Sequence, residues 1–406
     1  MSVVSAAQKR WAVFSAAPHR MFFATGIAWL LGFSLWWTIV IAARAAGIAG
    51  HEPSLPGLVV HGAAILFLVL SPFISGFLLT VFPRWMPAPD PGRAPQLAAF
   101  ALFNLGNLLV LAGTCGSATL FTVGWLVSTA GLAVVFALLV RVLVGATTRI
   151  SHAWGVLTGL AAALCGMALF ARALLTGDFS VWPLVRGLGL WGFLLPVYFS
   201  VCHRMIPFFT SRVVRGYVMW RPGWLLAAFV ALSLTRALLE LVPHWRWAAE
   251  LPMAALALTC TLRWWPRERT DDKLLIVLHI AFAWLSISLA LGAADGLAAF
   301  AGTPGAFGRA PLHALGMGFF GSMLMAMVTR VTLGHAGRPL VFDPINWRLF
   351  QLVQAGAVLR VAADLLPQAG QFLTLAAALA WVGGFATWAV RHGAIYFRPR
   401  IDGAPG

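Results

Sequence analysis

Residues 57–82 read GLVVHGAAILFLVLSPFISGFLLTVF, a run without a single Asp, Glu, Lys or Arg. A helix needs about 20 apolar residues to cross a ~30 Å hydrocarbon core, so this run is long enough. In lipid the backbone must satisfy its own polar groups, and a helix does so within one segment. Eleven comparable stretches accompany it, at roughly 21–43, 95–113, 119–140, 152–175, 183–209, 222–242, 246–264, 273–295, 310–333, 346–366 and 369–390. Pro83-Arg84-Trp85-Met86-Pro87, Pro222-Gly223 and Pro266-Arg267-Glu268-Arg269 are typical of the breaks between them. The expected fold is an all-α membrane protein of about twelve transmembrane helices. It forms one domain over 21–393, with a cytoplasmic N-terminal segment 1–20 and a cytoplasmic tail 394–406.

Composition points the same way. Of 406 residues, 61% are hydrophobic and 10% charged, with a mean hydropathy of +0.87. A soluble domain is about 45–50% apolar and about 25% charged. A soluble enzyme, a nucleic-acid reader and a disordered scaffold are therefore excluded. The net charge of +16 comes from 28 Lys+Arg against 12 Asp+Glu. With both termini and every second loop on one side, 21 of the 28 fall on that side. The other side holds Arg44, Arg172, Arg186, Arg236, Arg246, Arg309 and Arg360. Such a bias marks the cytoplasmic side and places both termini there.

The first span is too long and too rich in Trp (Trp29, Trp36, Trp37) for a cleaved signal peptide, so it stays as a membrane helix. Cys115, Cys165, Cys202 and Cys260 show no Cys-x-x-Cys-His spacing, which excludes covalent haem attachment of the c type. No Walker A, dinucleotide fingerprint or His-Glu-x-x-His motif is present.

The second, sixth and tenth spans echo one another. They end in Phe77-Leu-Leu-Thr80-Val-Phe-Pro83-Arg84, His203-Arg204-Met-Ile-Pro207-Phe-Phe-Thr210 and Met327-Val-Thr-Arg330-Val-Thr-Leu-Gly-His335, about 125 residues apart. A four-helix period repeated three times gives twelve helices in three arcs.

Ionisable groups inside a membrane are costly and mark functional sites by default. Of ten histidines, His19, His51, His244, His392 and His152 read as interfacial. His61 and His313 lie roughly 5–6 Å inside the outer ends of their helices, at 1.5 Å rise per residue. His203 and His279 lie roughly 9 Å from the inner ends on the same scale, and His335 sits just past the tenth span. The two depths are on the order of 15 Å apart, so these histidines cannot all ligate one metal. A membrane transporter or channel without a cofactor, using Arg186, Arg236, Asp295 and the histidines as a polar path, is the alternative from another class. A structural or sensor protein that binds haem without turnover is a third.

Several blocks resemble the NnrS family of bacterial membrane proteins. They are Gly76-Phe-Leu-Leu-Thr80 with Trp85, Arg204-Met-Ile-Pro-Phe-Phe-Thr210, Leu278-His279-Ile-Ala-Phe-Ala-Trp284, His313-Ala-Leu315, and the long Met327-Val-Thr-Arg330-Val-Thr-Leu-Gly334-His335-Ala-Gly337-Arg338-Pro339-Leu340. The resemblance implies a twelve-helix inner-membrane protein that contains haem, is reported to contain copper, and is linked to nitric oxide metabolism and nitrosative-stress tolerance in denitrifying and other bacteria. If it is an enzyme, it is an oxidoreductase acting on nitric oxide. Its partners are then the lipid bilayer, nitric oxide or a related small molecule, and an unidentified electron donor, with no nucleic acid. The family usually carries His-x-His-Glu-Met at the start of the second helix, whereas this chain has His61-Gly62-Ala63-Ala64-Ile65. One His is kept; the second His and the Glu are lost, which sets an expectation of little or no copper. On this reading His61 and His313 are axial ligands of a non-covalent b-type haem. Arg204, Arg330 and Arg338 are candidates for propionate or other polar contacts. His203, His279 and His335 make an inner polar or second metal site. By fold analogy, haem–copper oxidases also carry histidine ligands on the second, sixth and tenth of twelve helices.

Overall fold

The computed structural model describes residues 6–48, 55–268 and 270–403. His51, the loop position Gly50, Arg269 and the side chain of Lys9 lie outside the described part. Among the described residues a short helix, Ala6–Phe14 (α1), precedes twelve long helical rods. These are Pro18–Ala45 (α2), Gly57–Trp85 (α3), Arg93–Gly113 (α4), Ala118–Gly145 (α5), Ser151–Thr176 (α6) and Phe179–Val213 (α7). They continue as Gly223–Leu241 (α8), Trp247–Trp264 (α9), Lys273–Phe300 (α10), Ala310–His335 (α11), Pro344–Leu365 (α12) and Pro367–Phe397 (α13).

Ten of the rods are long and apolar enough to cross a membrane. The expected spans at 246–264 and 346–366 are helical, as α9 and α12, but fall short of that measure. The residues explain why. α9 is only 18 residues long and contains Glu250, Pro252 and Arg263. α12 carries Asn346, Arg348, Gln351, Gln354, Arg360 and Asp364.

The rods form an outer layer around three inner ones. In the layer α2, α4, α5, α6, α8, α9 and α10 pack in chain order, and α12 and α13 lead back to α2. Inside, α3 packs on α2 and α5, α7 on α6, α8 and α10, and α11 on α10 and α12. The apolar stretches of α3, α7 and α11 are 89%, 78% and 78% buried, against at most 61% for any other span. Where α3 meets α7, Phe67 lies against Gly189; a Cβ there would sit 2.7 Å from the Phe67 ring. Only glycine permits that approach.

Each inner rod contains a π-helical segment: Ala64–Val69 in α3, Leu188–Leu194 in α7 and Ala314–Gly321 in α11. Their first residues are 124 and 126 positions apart. The sequence supplies a reason in the first two. Pro72 and Pro196 follow the π segments, and proline has no N–H and crowds the carbonyl four residues before it. A wider turn absorbs that conflict, and neighbouring side chains take up the released carbonyls. Asn107 Nδ2 donates to the Leu68 carbonyl at 3.2 Å, and Ser233 Oγ donates to the Trp191 carbonyl at 2.5 Å. In α11 the glycines Gly316, Gly318 and Gly321 stand in for proline as the weak point.

The first and last described helical segments meet on one face. The rings of Phe14 and Phe397 stack with centroids 4.9 Å apart, and Arg20 Nη1 donates to the carbonyls of Tyr396 and Arg398. This side is called the terminal face below, and the other the far face.

Candidate functional site

The inner rods α3 and α11 enter from the far face, and their first turns carry His61 and His313. The two imidazoles lie within electrostatic range of each other and of Arg309 and Arg360. His61 is laid flat on Trp37 of α2, with ring centroids 4.4 Å apart and planes 11° apart. The Arg44 guanidinium lies over the same Trp37 ring at 5.4 Å. His313 is oriented by polar contacts instead. Its Nδ1 is 3.0 Å from the Arg309 carbonyl and 3.5 Å from Asp364 Oδ2. Arg360 Nη1 holds the same carboxylate at 2.8 Å, one helical turn away on α12.

That arrangement has a chemical meaning. An imidazole whose Nδ1–H points at acceptors keeps Nε2 available as a lone-pair donor, which is how metal-binding histidines are held. Two imidazoles from different helices, with Arg309 and Arg360 in their vicinity, are the residue types that hold a haem iron and its propionates. The sequence singles out both histidines but not their neighbours Trp37, Arg309, Arg360 and Asp364, although Arg360 and Asp364 have the spacing of an ion pair on one helix face.

The arginines expected near propionates sit elsewhere. Arg330 and His313 share α11 and are seventeen residues apart, roughly 25 Å along the axis. Arg330 lies over the Phe209 ring at 4.0 Å, and Arg204 over the Trp85 ring at 4.9 Å, both toward the terminal face. Arg338 follows at the turn after α11. All three lie away from the end of the rods that carries His61 and His313, where Arg309 and Arg360 are the nearby cations.

The structure distributes His203, His279 and His335 among different partners. His203 Nδ1 is 3.0 Å from His152 Nε2. His279 Nε2 is 3.1 Å from Thr210 Oγ1, which itself donates to the Ile206 carbonyl. His335 Nδ1 faces the Val331 carbonyl at 3.0 Å, Arg84 Nη1 approaches its Nε2 at 3.3 Å, and its ring lies 4.5 Å from that of His19. His19, His152 and His392 stand at or near helix ends and are 2%, 8% and 3% exposed, because neighbouring rods cover those ends. Among the described residues no three His, Cys, Asp or Glu side chains converge as a metal-binding group.

The charges of the polar-path alternative are paired. Arg236 bonds Glu250 at 2.6 Å and Glu240 at 2.9 Å, and Arg186 reaches Glu240 at 2.5 Å. Arg246 pairs with Asp295. Arg236 also lies over the Trp191 ring, 4.7 Å from its centroid.

The family model described as NnrS protein covers residues 13–400, nearly the whole chain. No curated protein matches it.

Proposed function

The chain belongs to the NnrS family, and from that premise we propose that it is a haem-binding protein of the bacterial inner membrane that acts in nitric oxide metabolism or nitrosative-stress tolerance. It does so by binding or redox turnover of nitric oxide. Both termini face the cytoplasm, and the twelve rods are three four-helix arcs whose inner members are α3, α7 and α11. The three π segments at matching intervals support the arcs. The one observation that carries the functional reading is that His61 and His313 stand at the far-face starts of two inner rods, with His313 Nδ1 turned to acceptors.

When bound, a b-type haem supplies an iron that takes up nitric oxide and exchanges single electrons. His61 and His313 would hold it, with Trp37 stacked on His61 and with the Arg309 carbonyl and Asp364 orienting His313, and Arg309 and Arg360 would offset its negative charge. Copper finds a weaker donor set, since Ala63 and Ala64 replace the family's His and Glu.

The optical spectrum of the purified protein tests the reading. Two imidazoles on one iron give a low-spin six-coordinate spectrum. His61→Ala or His313→Ala removes the haem or makes it five-coordinate, and His279→Ala leaves the spectrum intact. A colourless wild-type protein supports the transporter or channel alternative. A wild-type spectrum in both His61→Ala and His313→Ala, lost in His203→Ala or His279→Ala, inverts the assignment.

A further inference from the structure

Between the three inner rods, on the terminal-face side of their π segments, lies a partly open chamber with about 60 Å3 of free volume. Its wall repeats three times. α3, α7 and α11 each contribute side chains at the same steps of 9, 10, 13 and 14 residues after the start of the π segment, and α11 adds Val331. Phe77, Val201 and Met327 form one tier, and Leu78, Cys202 and Val328 the next. Phe23 of α2 closes one side. The only polar atoms in the lining side chains are the Tyr198 hydroxyl and the thiol and thioether sulfurs, of which the sulfurs are weak hydrogen-bonding groups.

Water suits this chamber poorly. A buried water needs two to four polar partners, and apolar cavities stay dry and take apolar guests instead. The volume is several times the roughly 10–15 Å3 that one water-sized molecule requires. Tight packing is the rule in protein interiors, so a void kept by three separate helices at matching positions is a feature of the architecture. Met327 and Phe77 are 14 and 16 residues from His313 and His61, which places the chamber roughly 20–24 Å further along the rods.

We propose that this chamber is a binding site for a small uncharged apolar molecule, a diatomic gas of the class to which nitric oxide belongs, held in the membrane interior away from the histidine pair. The identity of the natural guest rests on the function proposed above; the preference for an apolar gas rests on the wall alone.

Xenon is the probe, because it shares the guest's size class and lack of charge and needs no haem. Crystals of the full-length protein under xenon pressure are expected to show an anomalous peak between Phe77, Val201 and Met327. Val201→Phe fills the space, and a saturable 129Xe shift seen with the wild type in detergent is expected to weaken at least tenfold. A second variant, Val328→Leu, makes a smaller intrusion, tolerates folding better, and is expected to weaken the shift severalfold. Absence of xenon from the wild-type chamber overturns the proposal, as does a lipid acyl chain occupying it or an unchanged shift in both folded variants. Xenon uptake by a colourless preparation upholds the gas chamber while removing the haem reading, so the two fail separately.

Discussion

Replacing Asp364 by Asn tests how the far-face histidines are held. Asp364 Oδ2 is 3.5 Å from His313 Nδ1, and the Arg309 carbonyl is closer at 3.0 Å. The substitution removes the carboxylate's charge and leaves the carbonyl, so the tautomer that frees Nε2 is kept. Loss of such an outer partner costs 10–100-fold in metal affinity. Because the closer acceptor survives, the low end applies: haem affinity falls about tenfold, or about 1.4 kcal/mol. Removing the negative charge also makes the imidazole a poorer donor to ferric iron. If the tenfold loss falls on the ferric form alone, the midpoint potential rises by about 59 mV for one electron. Haem transfer to a stronger acceptor, followed at the Soret band, reads the affinity, and a redox titration reads the potential. Asp364→Glu restores part of both, which a merely structural role for the side chain does not predict. Affinity and potential unchanged in Asp364→Asn, with His313→Ala still losing haem, refute the reasoning.

Three further outcomes follow from other parts of the molecule. Arg236→Met leaves Glu240 and Glu250 buried without their shared cation, a loss of about 3–5 kcal/mol; the double variant with Glu250→Gln recovers part of it, and equal melting temperatures for wild type and Arg236→Met contradict the ion-pair reading. A C-terminal reporter is expected to be active in the cytoplasm and a cysteine at Gly305 to be labelled from outside; a periplasmic C-terminus contradicts the assigned orientation. Metal analysis of the purified protein is expected to give little or no copper per haem, and one tightly held copper would show that the inner histidines suffice without the family's second His and Glu.

The sequence by itself determined the membrane class and the helical rods, because both follow from local quantities. Twenty apolar residues in a row set hydropathy without reference to any neighbour. His61 and His313 were legible for the same reason: an ionisable group on an apolar helix stands out wherever the helix packs. The repeat was visible only as faint echoes near Thr80, Arg204 and Arg330, since its stronger sign is backbone geometry, the π segments beside Pro72 and Pro196. What the tertiary structure decided is nonlocal. Mean hydropathy does not separate α3, α7 and α11 from the outer rods; they are inner because of the helices packed around them. Burial of His19 and His152 at helix starts, and the meeting of Asp364 with His313, join residues some fifty or more positions apart. α9 and α12 show the limit from the other side. Their charges lower hydropathy residue by residue, while the energy that keeps Glu250 buried resides in Arg236, on another helix.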